Sequence, residues 1–344
     1  MNRGERMASI LIFRTLPDKL NTNRLIARHV ARATRRVTPH LTVIESSVTT
    51  AAALIAACRP ILAIGIGSVA IGSVAFEEIA YAARRAKTPL AYWLHDDPYE
   101  FDYAWRLKGF ADWLFTNDRT SVYHYDTETV SHLPLAASLD DHFPNLVPIG
   151  LRPVNVFFCG YAYPNRIMVM YRLRHLLRRW SAVILGDGWD PSLEFCSNRR
   201  LSAEEINQYY SMSKLTLNIG RVFNIANHRY EIVPSTPGPR TFEAAAAGAL
   251  QCYFVDSTEI FDYFKGNEEI LTFSSEQEVS AIVEEVMCDP DKFTAIAAAS
   301  QERARRDHTY DQRIRTILSV LGTRNIVDIS DFGSSESPEM TMGY

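Results

Sequence analysis

Apolar positions along this chain follow two alternating rhythms. Residues 9–13, 41–45, 61–66, 90–94, 113–116 and 129–133 are short, nearly unbroken apolar runs. Between them apolar residues recur at spacings of three and four. Ile26, Val30, Ala33 and Val37 mark a helix over 20–36. A second helix, over 76–87, stops before Thr88-Pro89, because the residue ahead of a proline is pushed out of the helical region. Unbroken strand runs, unlike alternating ones, belong to parallel sheets covered by helices on both faces. Arg24, Arg28, Arg32, Arg35 and Arg36 on the other side of the first helix read as a solvated face.

The rhythm restarts after Pro148, Gly150 and Pro153, which read as a linker. Strands are expected at 155–159, 182–185, 215–219 and 251–255. Helices are expected at 165–179, 203–212, 240–247, 276–288 and 291–305, with a last one over 310–321. The expected organisation is a first domain over 1–150 and a second over 151–310. A helix over 311–327 follows, with the option of packing back on the first domain, and then a disordered tail is expected over 328–344.

Composition narrows the class. The 344 residues are 47% hydrophobic and 22% charged, which suits two ordinary globular domains. The formal charge of −4 disfavours a nucleic-acid partner. The five cysteines, Cys58, Cys159, Cys196, Cys252 and Cys288, have no CxxC spacing, so neither a disulfide scaffold nor a usual metal cluster is expected. The longest uncharged run, 60–76, is broken by glycines and makes a poor membrane span. These features predict a reducing, cytoplasmic setting.

Three Gly-rich turns follow strands. Gly65-Ile66-Gly67-Ser68-Val69-Ala70 fits the form of a dinucleotide-binding turn. The confirming acidic residue about 20 positions on is missing, and tight packing explains the glycines equally well. An NAD-dependent oxidoreductase is nonetheless one alternative. The second turn, around Gly160 and Tyr161, opens a helix with Pro164 in its first turn and Arg166 within reach of a phosphate. The third, Gly186-Asp187-Gly188-Trp189, lies at a strand's carboxyl end, where open α/β sheets bind ligands, and Trp189 is a candidate wall for a base. Two such turns in one domain favour a nucleotide.

The stretch Pro237-Gly238-Pro239-Arg240-Thr241-Phe242-Glu243-Ala244-Ala245-Ala246-Ala247-Gly248 is the most informative. Pro239 starts a helix and Gly248 ends it. Glu243 in its first turns is stabilised by the helix dipole and suits a ribose diol; Arg240 would balance phosphate charge. This block resembles the Arg-x-Phe-Glu-x-x-Ala-x-Gly segment of CgeB-type glycosyltransferases. Trp93-Leu94-His95-Asp96-Asp97-Pro98, Ala111 to Asp118, His132 to Ala136, Phe158-Cys159-Gly160, Ser213 to Ile219 and His308-Thr309-Tyr310 fit the same family in order, over roughly 90–320.

The resemblance implies a GT-B fold, two Rossmann-like βα domains facing a cleft. It implies transfer of a sugar from a nucleotide-sugar donor to an acceptor hydroxyl, without metal or other cofactor. The donor set it implies is Gly160, Tyr161, Arg166, Asp187, Gly188, Trp189, Asn218, Arg221, Arg240, Thr241, Phe242 and Glu243. On the acceptor side it implies His95, Asp96 and Asp97 as candidate catalytic groups, against the alternative that Asp97 caps the next helix. One departure stands out: Ser235 occupies the position eight before Glu243, where many retaining enzymes of this fold carry a second Glu. A non-catalytic sugar-nucleotide binder would keep Arg240 and Glu243 and is the other alternative.

Overall fold

The computed structural model describes residues 8–16, 24–69 and 74–333. Ala70 of the first Gly-rich turn and residues 334–344 of the expected tail lie outside them. The chain divides into two compact units. Unit 1 takes the chain up to Leu133, the segment Ile225–Pro234 and everything from Tyr310; unit 2 takes Pro134–Asn224 and Ser235–Thr309.

Unit 1 is built on six parallel strands: β1 (Ser9–Arg14), β2 (Thr42–Ser47), β3 (Leu62–Gly67), β4 (Leu90–Leu94), β5 (Trp113–Thr116) and β6 (Val130–His132). Their order is β2-β1-β3-β4-β5-β6. Parallel neighbours need crossovers, and the helices Arg24–Val37, Val48–Cys58, Val74–Ala86 and Arg119–His124 supply them. Tyr92 on β4 stands edge-on between Phe13 and Phe76, with ring centroids 5.8 and 5.7 Å away. That ring explains Gly65: a Cβ there would lie 2.4 Å from it. The helix Tyr310–Thr323 packs on Arg24–Val37, and the Arg36 guanidinium meets the Asp311 carboxylate at 2.6 and 2.8 Å.

The segment Ile225–Pro234 belongs to this unit through specific bonds. The Ile225 and Ala226 N–H groups both donate to the Tyr99 carbonyl at 2.8 Å, and the Asp102 carboxylate accepts from the backbone of His228 and Arg229. Tyr230 stands edge-on to Phe101 at 4.9 Å, and Ile232 enters the core. The tail expected over 328–344 is ordered at its start. Ile329–Phe332 forms a 3-10 turn capped by Asp328, anchored by the buried Phe332.

Unit 2 repeats the plan with β7 (Val154–Tyr161), β8 (Val183–Asp187), β9 (Cys196–Ser197), β10 (Ser213–Asn218), β11 (Gln251–Phe254) and β12 (Leu271–Phe273). The order is β12-β11-β10-β7-β8-β9, again all parallel. The chain therefore runs outward from β7 in one direction, returns, and runs outward from β10 in the other. The crevice outside the carboxyl ends of β7 and β10 is the topological switch point, the usual ligand position in such sheets. The helix expected over 165–179 is broken at Leu173 into Pro164–Arg172 and Arg174–Arg179.

The boundary expected at 150 lies elsewhere, because the Pro/Gly stretch is packed inside unit 2. The buried Arg152 guanidinium donates to the carbonyls of Val147, Ser213 and Gly248 at 2.9, 3.0 and 2.8 Å. The first division falls instead between Leu133 and Pro134. Among the described residues, no helix is long and apolar enough to cross a membrane.

Candidate functional site

At the switch point of unit 2, the helix Pro239–Ala246 begins beside the end of β10. Pro239 occupies its first turn, where a missing N–H costs nothing, and the following alanines sit fully buried against the sheet. Arg240 and Glu243 are thereby held one turn apart, with Nη1 and Oε2 at 3.4 Å. The buried Tyr210 lines the same pocket as Arg240. A small pocket opens here, lined by Cys159 and Arg166 from β7 and the helix after it, Asn218 from β10, and Arg240.

Several expected donor residues hold the walls of this pocket together. Asn218 Nδ2 donates to Thr241 Oγ1 at 3.0 Å and to Gln251 Oε1 at 2.8 Å, and Gln251 Nε2 donates to the Thr241 carbonyl at 3.0 Å. This relay fixes the helix start to β10 and β11. Phe242 is fully buried among Tyr263, Phe264 and His308, so its place is in the core. Trp189, expected to wall a base, is 2% exposed and stands edge-on to Phe158, so it is core as well. Asp187 is exposed and accepts from Arg200 at 2.6 and 2.9 Å, which holds its carboxyl below the usual range. Arg221 lies half-buried in the loop after β10.

Gly160 and Gly186 are needed by close approach. A Cβ on Gly160 would come within 2.8 Å of Arg166 Nη1. One on Gly186 would lie 1.9 Å from the Gly160 carbonyl oxygen, and its φ of +151° is itself strained for other residues. Gly188, at φ +78°, sits under the Tyr161 ring. Arg166 is positioned by carbonyls: Nε donates to those of Ile219 and Gly220, and Nη1 to that of Tyr161.

A carboxylate does stand next to Ser235, from a residue the sequence did not single out. Glu259 is buried and accepts from Ser235 Oγ at 2.7 Å, Thr236 Oγ1 at 2.8 Å and the Tyr263 hydroxyl at 2.6 Å. It anchors the loop that leads into Pro239.

In unit 1, His95, Asp96 and Asp97 follow β4. Asp97 is 1% exposed, and its Oδ2 accepts from Thr116 Oγ1 and the Tyr125 hydroxyl, both at 2.7 Å. It is not a helix cap, since Glu100 holds that position ahead of Phe101–Ala104. His95 is also buried, and burial brings its pKa down to about 4, leaving a neutral imidazole at pH 7. Asp96 alone of the three is partly exposed.

The Gly65–Gly67 turn is occupied from within. Glu100 accepts from the Val69 N–H at 2.6 Å and from Ser68 Oγ at 2.5 Å. Thr15 Oγ1 donates to the carbonyls of Ile66 and Ser68. A carboxyl group thus sits where a dinucleotide phosphate would need the loop's donors, which removes the support for the oxidoreductase alternative.

Burial raises the Asp97 carboxyl to about 7 and the Glu100 carboxyl to about 8. Acids with raised folded-state pKa values bind protons that the unfolded chain has released, so stability falls as pH rises toward those values. His95, depressed to about 4, acts with the opposite sign below its unfolded value near 6.5. Between about pH 6.5 and 9 the carboxyls dominate, by up to a few kcal/mol. The melting temperature should decline across that window, and Glu100→Gln should flatten the decline. A melting temperature that climbs over the same window would refute the buried-acid assignment.

Residues 167–319 match the family model described as glycosyl transferase-like. The solved structures similar to the chain define its fold class as GT-B. HepE of Anabaena, in complex with UDP, is 14% identical, covers 92% of this chain and 100% of its own, and has a TM-score of 0.62. Sucrose-phosphate synthase of Thermosynechococcus elongatus is 9% identical, covers 92% of this chain and 99% of its own, and has a TM-score of 0.61. At the level of sequence, the chain resembles the spore protein CgeB of Bacillus subtilis strain 168. It is 23% identical to it over 178 residues, 47% of this chain, and the match spans only about half of that relative, 55%.

Proposed function

We propose that the chain is a glycosyltransferase that moves a sugar from a nucleoside diphosphate sugar to an acceptor hydroxyl. The observation that carries the reading is the Arg240–Glu243 pair at the start of Pro239–Ala246, set at the switch point within the glycosyl transferase-like segment. HepE, similar in fold, holds UDP and UDP-glucose. In this reading Glu243 accepts from the ribose hydroxyls. Arg240, with Arg166 beside it, stabilises the charge that develops on the diphosphate as the sugar–oxygen bond breaks. These cations take the place of a metal, so EDTA should leave turnover unchanged.

On the acceptor side, the partly exposed Asp96 is the member of its group suited to take the hydroxyl proton. Asp96→Asn should lower turnover about 10²-fold and leave nucleotide affinity intact. Cytoplasmic placement belongs to the same proposal: five free thiols fit a reducing compartment, and cell fractionation checks it.

Calorimetry with UDP, GDP, TDP and CDP tests the donor site directly. The chain should bind one of them, and Glu243→Ala should weaken that binding by about 1–3 kcal/mol, the scale for hydrogen bonds to a charged group. Absence of binding to all four by the parent protein would overturn the proposal.

A further inference from the structure

Beside the pocket in unit 2 lies a row of three aromatic rings, exposed at its two ends. Tyr161 ends β7, Tyr163 follows it, and Phe223 comes from the loop after β10. The Tyr161 and Tyr163 centroids are 5.1 Å apart at 48°, and those of Tyr163 and Phe223 are 5.3 Å apart at 24°. Tyr161 is 51% exposed and Phe223 48%. Large aromatics left in water as a contiguous strip are uncommon and mark contact surfaces.

The strip is built rather than loose. Asn165 Nδ2 donates to the Gly220 carbonyl at 3.0 Å, and Asn165 Oδ1 accepts from the Val222 N–H at 3.2 Å. Together with Arg166, these bonds clamp the Phe223 loop onto the end of β7. The Arg166 guanidinium also lies 5.1 Å from the Tyr163 centroid. Because Arg166 lines the donor pocket, the row starts at that pocket's wall.

We infer that this row binds an oligosaccharide, and that the acceptor is therefore a glycan. A pyranose ring offers a face of C–H groups to the negative face of an aromatic ring and keeps its hydroxyls at the rim, where the tyrosine hydroxyls and solvent meet them. Three rings in succession, each turned from the last, suit a twisted chain of sugar rings. A nucleobase would need one flat partner and buried in-plane hydrogen-bonding groups. The assignment of the glycan as acceptor rests on the transferase reading; its binding does not.

Malto-, cello- and chito-hexaoses titrated into the full chain, followed by saturation-transfer NMR and calorimetry, test this. The parent should bind at least one series. Phe223→Ala should weaken that binding about tenfold, while Phe223→Tyr keeps it. Melting temperature and UDP affinity should stay at the parent's level. Failure of all three series to bind, or full glycan affinity in Phe223→Ala, would overturn the inference. So would an equal loss of UDP affinity, which would make the row a base platform. Glycan binding without any nucleotide binding would instead leave the row standing and sink the transferase reading.

Discussion

Turnover by an Arg240→Ala variant should fall by about 10²–10³-fold, the scale for removing one preorganised partner of developing transition-state charge. The physical reason is placement. The guanidinium pairs with the Glu243 carboxylate in the first turn of its helix, where backbone N–H groups already favour an anion. Little reorganisation is needed when the diphosphate gains charge. Arg240→Lys keeps the charge but not the planar fork, so it should recover only part of the loss. Release of nucleoside diphosphate from the donor, followed under saturating acceptor, measures the effect. Parent-like turnover in Arg240→Ala would remove this residue from the mechanism.

Gly186→Ala should destabilise the protein by about 3–5 kcal/mol, near the upper end for single substitutions. The added methyl would lie 1.9 Å from the Gly160 carbonyl oxygen, a backbone atom that cannot swing aside as a side chain can. The φ of +151° adds strain at the same point. The carboxyl ends of β7 and β8 would have to separate, and the pocket is built on the first of them. Gly109→Ala is the matched control, since a Cβ there meets nothing within 4 Å. Chemical denaturation of the two variants should separate them clearly; a Gly186→Ala curve that overlays the control would refute the close-approach argument.

The first sheet was legible because β1, β3, β4 and β5 are buried on both faces and therefore read as unbroken apolar runs; β4, buried at all five positions, was bounded correctly from sequence. The helix Val48–Cys58 was less distinct, since its Thr- and Ala-rich stretch carries little contrast between faces. β12 is only three residues long and stayed hidden. In unit 2 the places of Arg240 and Glu243 were legible because Pro239 fixes where the helix begins, and three positions then put both near its start. Trp189 and Phe242 were misread for a common reason. An aromatic beside a Gly or a charge looks like a ligand contact, but the direction of its ring is decided by packing across elements. Glu259 and the Phe223 ring were beyond reach for a different reason. Each acquires meaning from partners 23 to 60 positions away, Ser235 and Thr236 for one and Tyr163 for the other.

The chain passes between its two units at four places, on either side of the short insertion Ile225–Pro234 as well as at Leu133 and Thr309. Domain dissection is therefore frustrated by connectivity. A fragment spanning Pro134–Thr309 would carry Ile225–Pro234 without Tyr99, Phe101 and Asp102, the residues that satisfy its backbone and cover Tyr230. A fragment ending at Leu133 would lose both that insertion and the helix Tyr310–Thr323 that covers Arg24–Val37. Neither half is a severable cassette, so recombination that swaps one unit between relatives would have to exchange interleaved pieces rather than one contiguous block.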